Sequence, residues 1–175
     1  GYCFCEGYGA HRERPPSPTR RSAGRGSLHG LRAVVLGGGG VAQETVRLLK
    51  AFDTRVTAVR RTRTPVPLAD ATLAPEAFSE LLPDTDVLVL AAALTPDTRH
   101  LVDADAIAAL PEDAVVVNIG RGGLSDTDAL TDALAEGRIA GVAASRLVED
   151  GLIAGVSENV SAVVADIGIE GAAGA

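Results

Sequence analysis

The 175 residues predict an α/β fold, a doubly wound parallel sheet in a single domain. Three observations carry that prediction. Short apolar runs rich in Val alternate with helical patterns along the chain. A turn made only of glycine, Gly37-Gly38-Gly39-Gly40, joins one such run to the helical pattern after it. Hydrophobic residues make up 46% of the chain while aromatic residues make up only 3%, so Ala, Val and Leu must build the interior. Such a core suits strands buried on both faces by helices. Strand–helix repetition in turn requires parallel pairing with right-handed crossovers. A chain of this length supports one sizeable core.

Taken in order, residues 1–27 contain Pro15-Pro16-Ser17-Pro18, several glycines and scattered arginines, a composition that buries little surface. They are expected to form a disordered basic leader. The folded domain is expected over 28–168, followed by a flexible Gly/Ala tail at 169–175. Apolar, β-branched runs predict strands at 33–36, 55–59, 87–91, 114–119, 139–143 and 160–164. Helical patterns fill the gaps at 41–50, about 75–82, 103–110 and 126–136. The last of these is expected to take Ser125 as its N-cap, with Asp128 in an acidic first turn and Gly137 ending it.

Net charge is −7 and unevenly spread. Residues 1–32 hold six arginines and two glutamates, which leaves the rest of the chain strongly acidic. An acidic body argues against general nucleic-acid binding, which needs a basic face. The basic leader reads as a solvated tail. No apolar run reaches the length of a membrane span. Cys3 and Cys5 are the only cysteines and complete no zinc set, so no metal is expected. Without the apolar core of a secretory signal, a cytoplasmic location is the default.

In a parallel sheet ligands bind beyond the carboxyl ends of the strands. That rule selects the turns at 37–40, 60–64, 92–98, 118–123 and 145–150. The first reads as G-x-G-x-x-A between a strand and a helix, the Rossmann-type arrangement that holds a dinucleotide pyrophosphate. Gly37 makes the bend, Gly39 gives close approach and Ala42 allows tight helix–strand packing. With Gly40 and Val41 at the helix start, these are the residues expected to bind the cofactor. About 20 residues later, a carboxylate would hold the ribose hydroxyls of NAD. The residue in that place is Arg60, followed by Arg61 and Arg63. A guanidinium grips a 2′-phosphate where a carboxylate repels it, so NADP is the expected cofactor in preference to NAD.

Further along stand Leu94-Thr95-Pro96-Asp97-Thr98-Arg99, then Val115-Val116-Val117-Asn118-Ile119-Gly120-Arg121-Gly122-Gly123-Leu124, Asp128-Ala129-Leu130 and Gly137-Arg138-Ile139-Ala140-Gly141. Together with the glycine turn, they resemble the nucleotide-binding domain of the D-isomer-specific 2-hydroxyacid dehydrogenases. The likeness is nearest to glyoxylate/hydroxypyruvate-reductase-like members and runs over about 28–141. It implies an oxidoreductase acting on the CH–OH group of small 2-hydroxy acids, reducing 2-oxo acids such as glyoxylate or hydroxypyruvate. It also implies a homodimer formed through this domain. By resemblance Arg121 binds the substrate carboxylate and oxo group. A guanidinium there can orient the acid and stabilise negative charge developing on oxygen. Thr98, Ile119 and Ser145 are implied to border the cofactor. Glu149 or Asp150 is implied to stand where the family has the glutamate that tunes its catalytic histidine.

The chain departs from the family's pattern in several places. Ser145 replaces the family's aspartate, and Gly151 stands where a proline is usual. Residues 159–168 look like the last strand but lack the histidine of the family's P-H-x-x-G segment, which supplies a proton near neutral pH. The histidines are His11, His29 and His100, the last expected as a surface or capping residue. Asp166 is the other candidate acid, although an ordinary carboxyl is ionised at neutral pH. Neither end is long enough to form the family's second domain, so a truncated or frame-altered member, or one whose flanks have diverged, is expected. The alternative function is a dinucleotide-binding module, or a remnant, without turnover.

Overall fold

The computed structural model describes residues 27–62 and 64–144. The strand expected at 160–164 lies outside the described residues, as do most of the leader and all of the tail. In chain order the elements are β1 (Arg32–Leu36), α1 (Gly40–Lys50), β2 (Arg55–Val59), β3 (Ala71–Leu73), α2 (Phe78–Leu81), β4 (Val87–Leu90), α3 (Ala104–Ala108), β5 (Val115–Asn118), α4 (Thr127–Ala135) and β6 (Gly141–Ala144). The strands form one sheet in the order β3-β2-β1-β4-β5-β6, and every neighbouring pair is parallel. This is the doubly wound Rossmann-type sheet that the sequence predicts.

Side-chain alternation along the central strands divides the core into two layers. Ala33 and Val35 of β1, with Val87 and Val89 of β4, face the layer that contains Ala42 and Val46 of α1. Val34, Leu36, Leu88 and Leu90 face the opposite layer, with Phe78, Ile107, Leu124 and Leu130. β1 and β4 are therefore buried on both faces, which is why their sequences read as unbroken apolar runs. Full burial of one such side chain contributes about 1.5–3 kcal/mol.

Four details differ from the sequence prediction. β3 is an edge strand of three half-buried residues, too short to show a period. It is set beside β2 by Asp70, whose Oδ2 accepts the Val56 N–H at 2.7 Å and pairs with Lys50 Nζ at 2.9 Å. The helix expected at about 75–82 is a 3-10 turn (Pro75–Ala77), then α2, then a second 3-10 turn (Leu82–Asp84). Pro83 has no N–H with which to extend an α-helical ladder. α3 is shorter than expected, with Asp103 capping it by accepting the Ala106 N–H at 2.9 Å. The N-cap of α4 is Asp126, which accepts the Ala129 N–H at 3.1 Å, and not Ser125. A parallel bridge from Ser125 to Val102 holds Ser125 extended and buried, so its hydroxyl is turned away from the helix. Gly137 ends α4 as expected, with φ +68° and its N–H on the Leu134 carbonyl. Among the described residues no helix is long and apolar enough to cross a membrane.

Candidate functional site

Because all strands run the same way, their carboxyl ends share one edge. β1 and β4 are neighbours there, but the chain leaves them toward opposite sides of the sheet. The crevice at such a switch point is where open α/β sheets bind ligands.

The turn after β1 opens this crevice. Gly37 has φ +127°, and its N–H donates to the Val59 carbonyl at 2.8 Å. A Cβ at Gly37 would stand 2.6 Å from the Ala91 carbonyl oxygen, so this position admits no side chain. Gly39 is the N-cap of α1, and Cβ atoms placed at Gly39 or Gly40 would meet nothing within 4 Å. The helix has no side-chain cap and no acidic residue in its first turn. The first intrahelical bond runs from the Gln43 N–H to the Gly39 carbonyl. The N–H groups of Gly40, Val41 and Ala42 therefore have no partner within the helix. Donors of this kind at the positive end of a helix dipole favour an anion. Gln43 steadies the turn by donating from Nε2 to the Gly38 carbonyl at 3.1 Å. Ala42 is fully buried against the sheet, whereas Val41 is exposed.

Arg60 and Arg61 follow β2. The Arg60 N–H donates to the Leu73 carbonyl, which anchors the residue between the ends of β2 and β3. Its side chain then crosses to the glycine turn, where its Nε and Cζ lie 2.6 and 2.7 Å from the place a Cβ on Gly38 would take. One end of the guanidinium donates to the Thr64 carbonyl at 3.4 Å. Arg61 is exposed beside it, and Arg63 lies outside the described residues.

The loop after β4 is shaped by Thr98. Its hydroxyl accepts the Thr95 N–H at 2.7 Å and lies 2.8 Å from the Ala93 carbonyl. Leu94 from this loop reaches the turn after β5, with Cδ2 3.2 Å from the Cβ place on Gly123.

That next turn carries Ile119 and Arg121. Asn118, 3% exposed, ends β5 and folds its amide into the turn. Its Oδ1 accepts the Gly120 N–H at 3.0 Å, and its Nδ2 donates to the Arg121 carbonyl at 3.3 Å and to Ser125 Oγ at 3.4 Å. Sequence reasoning assigns Asn118 no role. Its signal is an amide closing the apolar run Val115-Val116-Val117. Gly120 has no room for a side chain, since a Cβ would meet Leu124 Cδ1 at 2.7 Å. Arg121 itself is exposed and enters no ion pair among the described residues.

The structure thus brings Gly37, Gly39, Gly40, Val41, Ala42, Arg60, Arg61, Thr98, Ile119 and Arg121 to one edge of the sheet. Ser145, Glu149 and Asp150, expected after β6, lie outside the described residues, as does His11. His100 is exposed with φ +51°, and its N–H donates to the Gly123 carbonyl at 2.8 Å, beside the Arg121 turn. His29 pairs with Asp53 at 3.3 Å, ahead of β1 and β2 and so at the opposite edge. Among the described residues no three His, Cys, Asp or Glu side chains gather as a metal site.

Residues 10–149 match the family model of the D-isomer specific 2-hydroxyacid dehydrogenase, NAD binding domain. A Corynebacterium melassecola protein from the proB 3′ region is 39% identical over 117 residues, which cover 66% of this chain and 38% of that protein. The glyoxylate reductase of Thermococcus gammatolerans is 35% identical over 114 residues, covering 65% of this chain and 34% of the enzyme. Among solved structures, a glyoxylate reductase from Paecilomyes thermophila superposes with a TM-score of 0.61 at 34% identity, over 68% of this chain and 36% of that one. The chain therefore spans little more than a third of the length of these relatives.

Proposed function

The chain belongs to the D-isomer specific 2-hydroxyacid dehydrogenase family through its NAD-binding domain, and from that premise we propose that it binds NADP in preference to NAD and serves the reduction of a small 2-oxo acid such as glyoxylate or hydroxypyruvate. One observation carries this reading. The open N-terminus of α1 with the Arg60 side chain lying across the Gly38 turn, and the Arg121 turn after β5, stand along the same edge of one sheet, beside its switch point.

The pyrophosphate is assigned to the N–H groups of Gly40, Val41 and Ala42, with Gly39 leaving space for close approach. Arg60 and Arg61 supply positive charge for a 2′-phosphate. Thr98 and Ile119 border the nucleotide, with Ser145 assigned to the nicotinamide side. When bound, the cofactor supplies a hydride. Arg121 orients the acid by its carboxylate and stabilises charge growing on the oxo oxygen, while Asn118 holds its backbone in place. Glu149 or Asp150 is assigned as the carboxylate that tunes an acid. A homodimer through this domain is part of the same proposal.

A second reading, dinucleotide binding without turnover, is favoured by the histidines. Residues 159–168 contain none, and His29 is at the far edge of the sheet.

Titration of the purified chain with NADPH and NADH, read by nucleotide fluorescence, tests the cofactor assignment. Tighter NADH than NADPH binding would overturn it. Loss of the reduced-nicotinamide absorbance on adding glyoxylate or hydroxypyruvate supports the enzyme. Binding with no such loss supports the second reading.

A further inference from the structure

We propose that Gly38 is a specificity-determining residue, because its missing side chain is the space in which Arg60 lies to meet a 2′-phosphorylated dinucleotide. The proposal rests on the NADP reading above and goes beyond it, since Gly38 is the variable position of the G-x-G-x-x-A turn and need not be glycine for the turn itself.

The geometry separates Gly38 from its neighbours. Gly37 excludes a Cβ because backbone is in the way, the Ala91 carbonyl. Gly39 and Gly40 face open space. At Gly38 the three atoms nearest to the place of a Cβ all belong to one side chain, Cδ, Nε and Cζ of Arg60, at 2.6 to 2.7 Å. Its backbone lies outside the left-handed region, so alanine is conformationally permitted there. A methyl group at position 38 thus meets the Arg60 side chain first and displaces it from Cδ outward, the guanidinium included. The guanidinium is the free end of a flexible side chain whose other hold is a 3.4 Å contact to the Thr64 carbonyl, so it moves at little cost to the fold. What is lost is its placement. A bidentate grip on phosphate depends on a guanidinium being held in the right plane, and an arginine swung into solvent has to be ordered again on binding.

The test is a double-mutant cycle on Gly38→Ala and Arg60→Ala, reading dissociation constants for NADPH and NADH by fluorescence together with the melting temperature. The expected result is an unchanged melting temperature and NADH affinity for Gly38→Ala, with NADPH affinity lower by about tenfold. In the Arg60→Ala background, Gly38→Ala should then leave the NADPH/NADH ratio where it is. If Arg60→Ala lowers the ratio while Gly38→Ala keeps it, the Gly38 proposal fails and the NADP reading stands. Equal loss of both nucleotides in Gly38→Ala also overturns the proposal, since Gly38 would then serve the pyrophosphate. If Arg60→Ala leaves the ratio unchanged, the NADP reading falls and this proposal with it.

Discussion

Asn118 donates from Nδ2 to the Arg121 carbonyl at 3.3 Å, and its Oδ1 accepts the Gly120 N–H at 3.0 Å. One buried amide thus fixes the backbone on both sides of Ile119 and Arg121. Asn118→Ala should cost about 1–3 kcal/mol, because three hydrogen bonds of the buried amide are lost together, while the Gly120 N–H keeps the Leu90 carbonyl and the Arg121 carbonyl keeps the Leu124 N–H. The urea midpoint measures that loss. Amide hydrogen exchange should rise over 119–125 and stay as in the parent over β1. Unchanged exchange in that loop would rule out the anchoring role.

Gly37 and Gly39 are two residues apart in one turn and should respond in opposite ways. Gly37→Ala combines φ +127° with a 2.6 Å overlap against the Ala91 carbonyl, and should cost roughly 3 kcal/mol or more. Gly39→Ala meets open space and loses only an N-cap preference, about 1 kcal/mol or less. Its cost should fall on nucleotide binding, where a methyl group occupies the approach to the phosphate. Thermal unfolding with and without NADPH separates the two outcomes.

Arg121 is exposed, so Arg121→Ala should change stability by no more than about 0.5 kcal/mol. NADPH affinity should be unaffected. Binding of a 2-oxo acid to the NADPH-loaded chain, followed by calorimetry, should be lost, and Arg121→Lys should restore only part of it because an ammonium lacks the planar fork. Retained acid binding in Arg121→Ala would remove Arg121 from the substrate site.

The Asp70 carboxyl gives a pH dependence. Its partial burial works against ionisation, but the Val56 N–H and the Lys50 ammonium outweigh this and hold it below its ordinary value. A carboxylate depressed in the folded state adds stability above its unfolded value, and that stability is lost as pH falls through the folded value. The urea midpoint of the parent chain should therefore drop below about pH 4. Asp70→Asn should start lower at neutral pH by less than about 1 kcal/mol, since the group is half exposed and screened. The two curves should converge in acid.

The sheet is legible in the sequence because β1 and β4 are buried on both faces, so Val34-Val35-Leu36 and Val87-Leu88-Val89-Leu90 are short, β-branched apolar runs bounded by turns. α1 is legible because the glycine turn and its buried Ala42 and Val46 are local features. β3 is not, because Ala71-Thr72-Leu73 owes its conformation to β2 and Asp70. The cap of α4 is not either, because Ser125 and Asp126 are both good caps, and a bridge to Val102, 23 residues earlier, decides between them.

Sequence by itself determined the strand–helix alternation, the glycine turn, and the motif around Arg121 that places the chain in its family. These depend on period, glycine content and residues close along the chain. Only the tertiary structure laid Arg60 across Gly38, gave Asn118 the backbone of Arg121 to hold, and put His29 at the edge of the sheet away from the site. Each of these joins residues through the packing of separate elements or the particular path of a turn. A side chain's reach and the space left for it are set by the folded backbone.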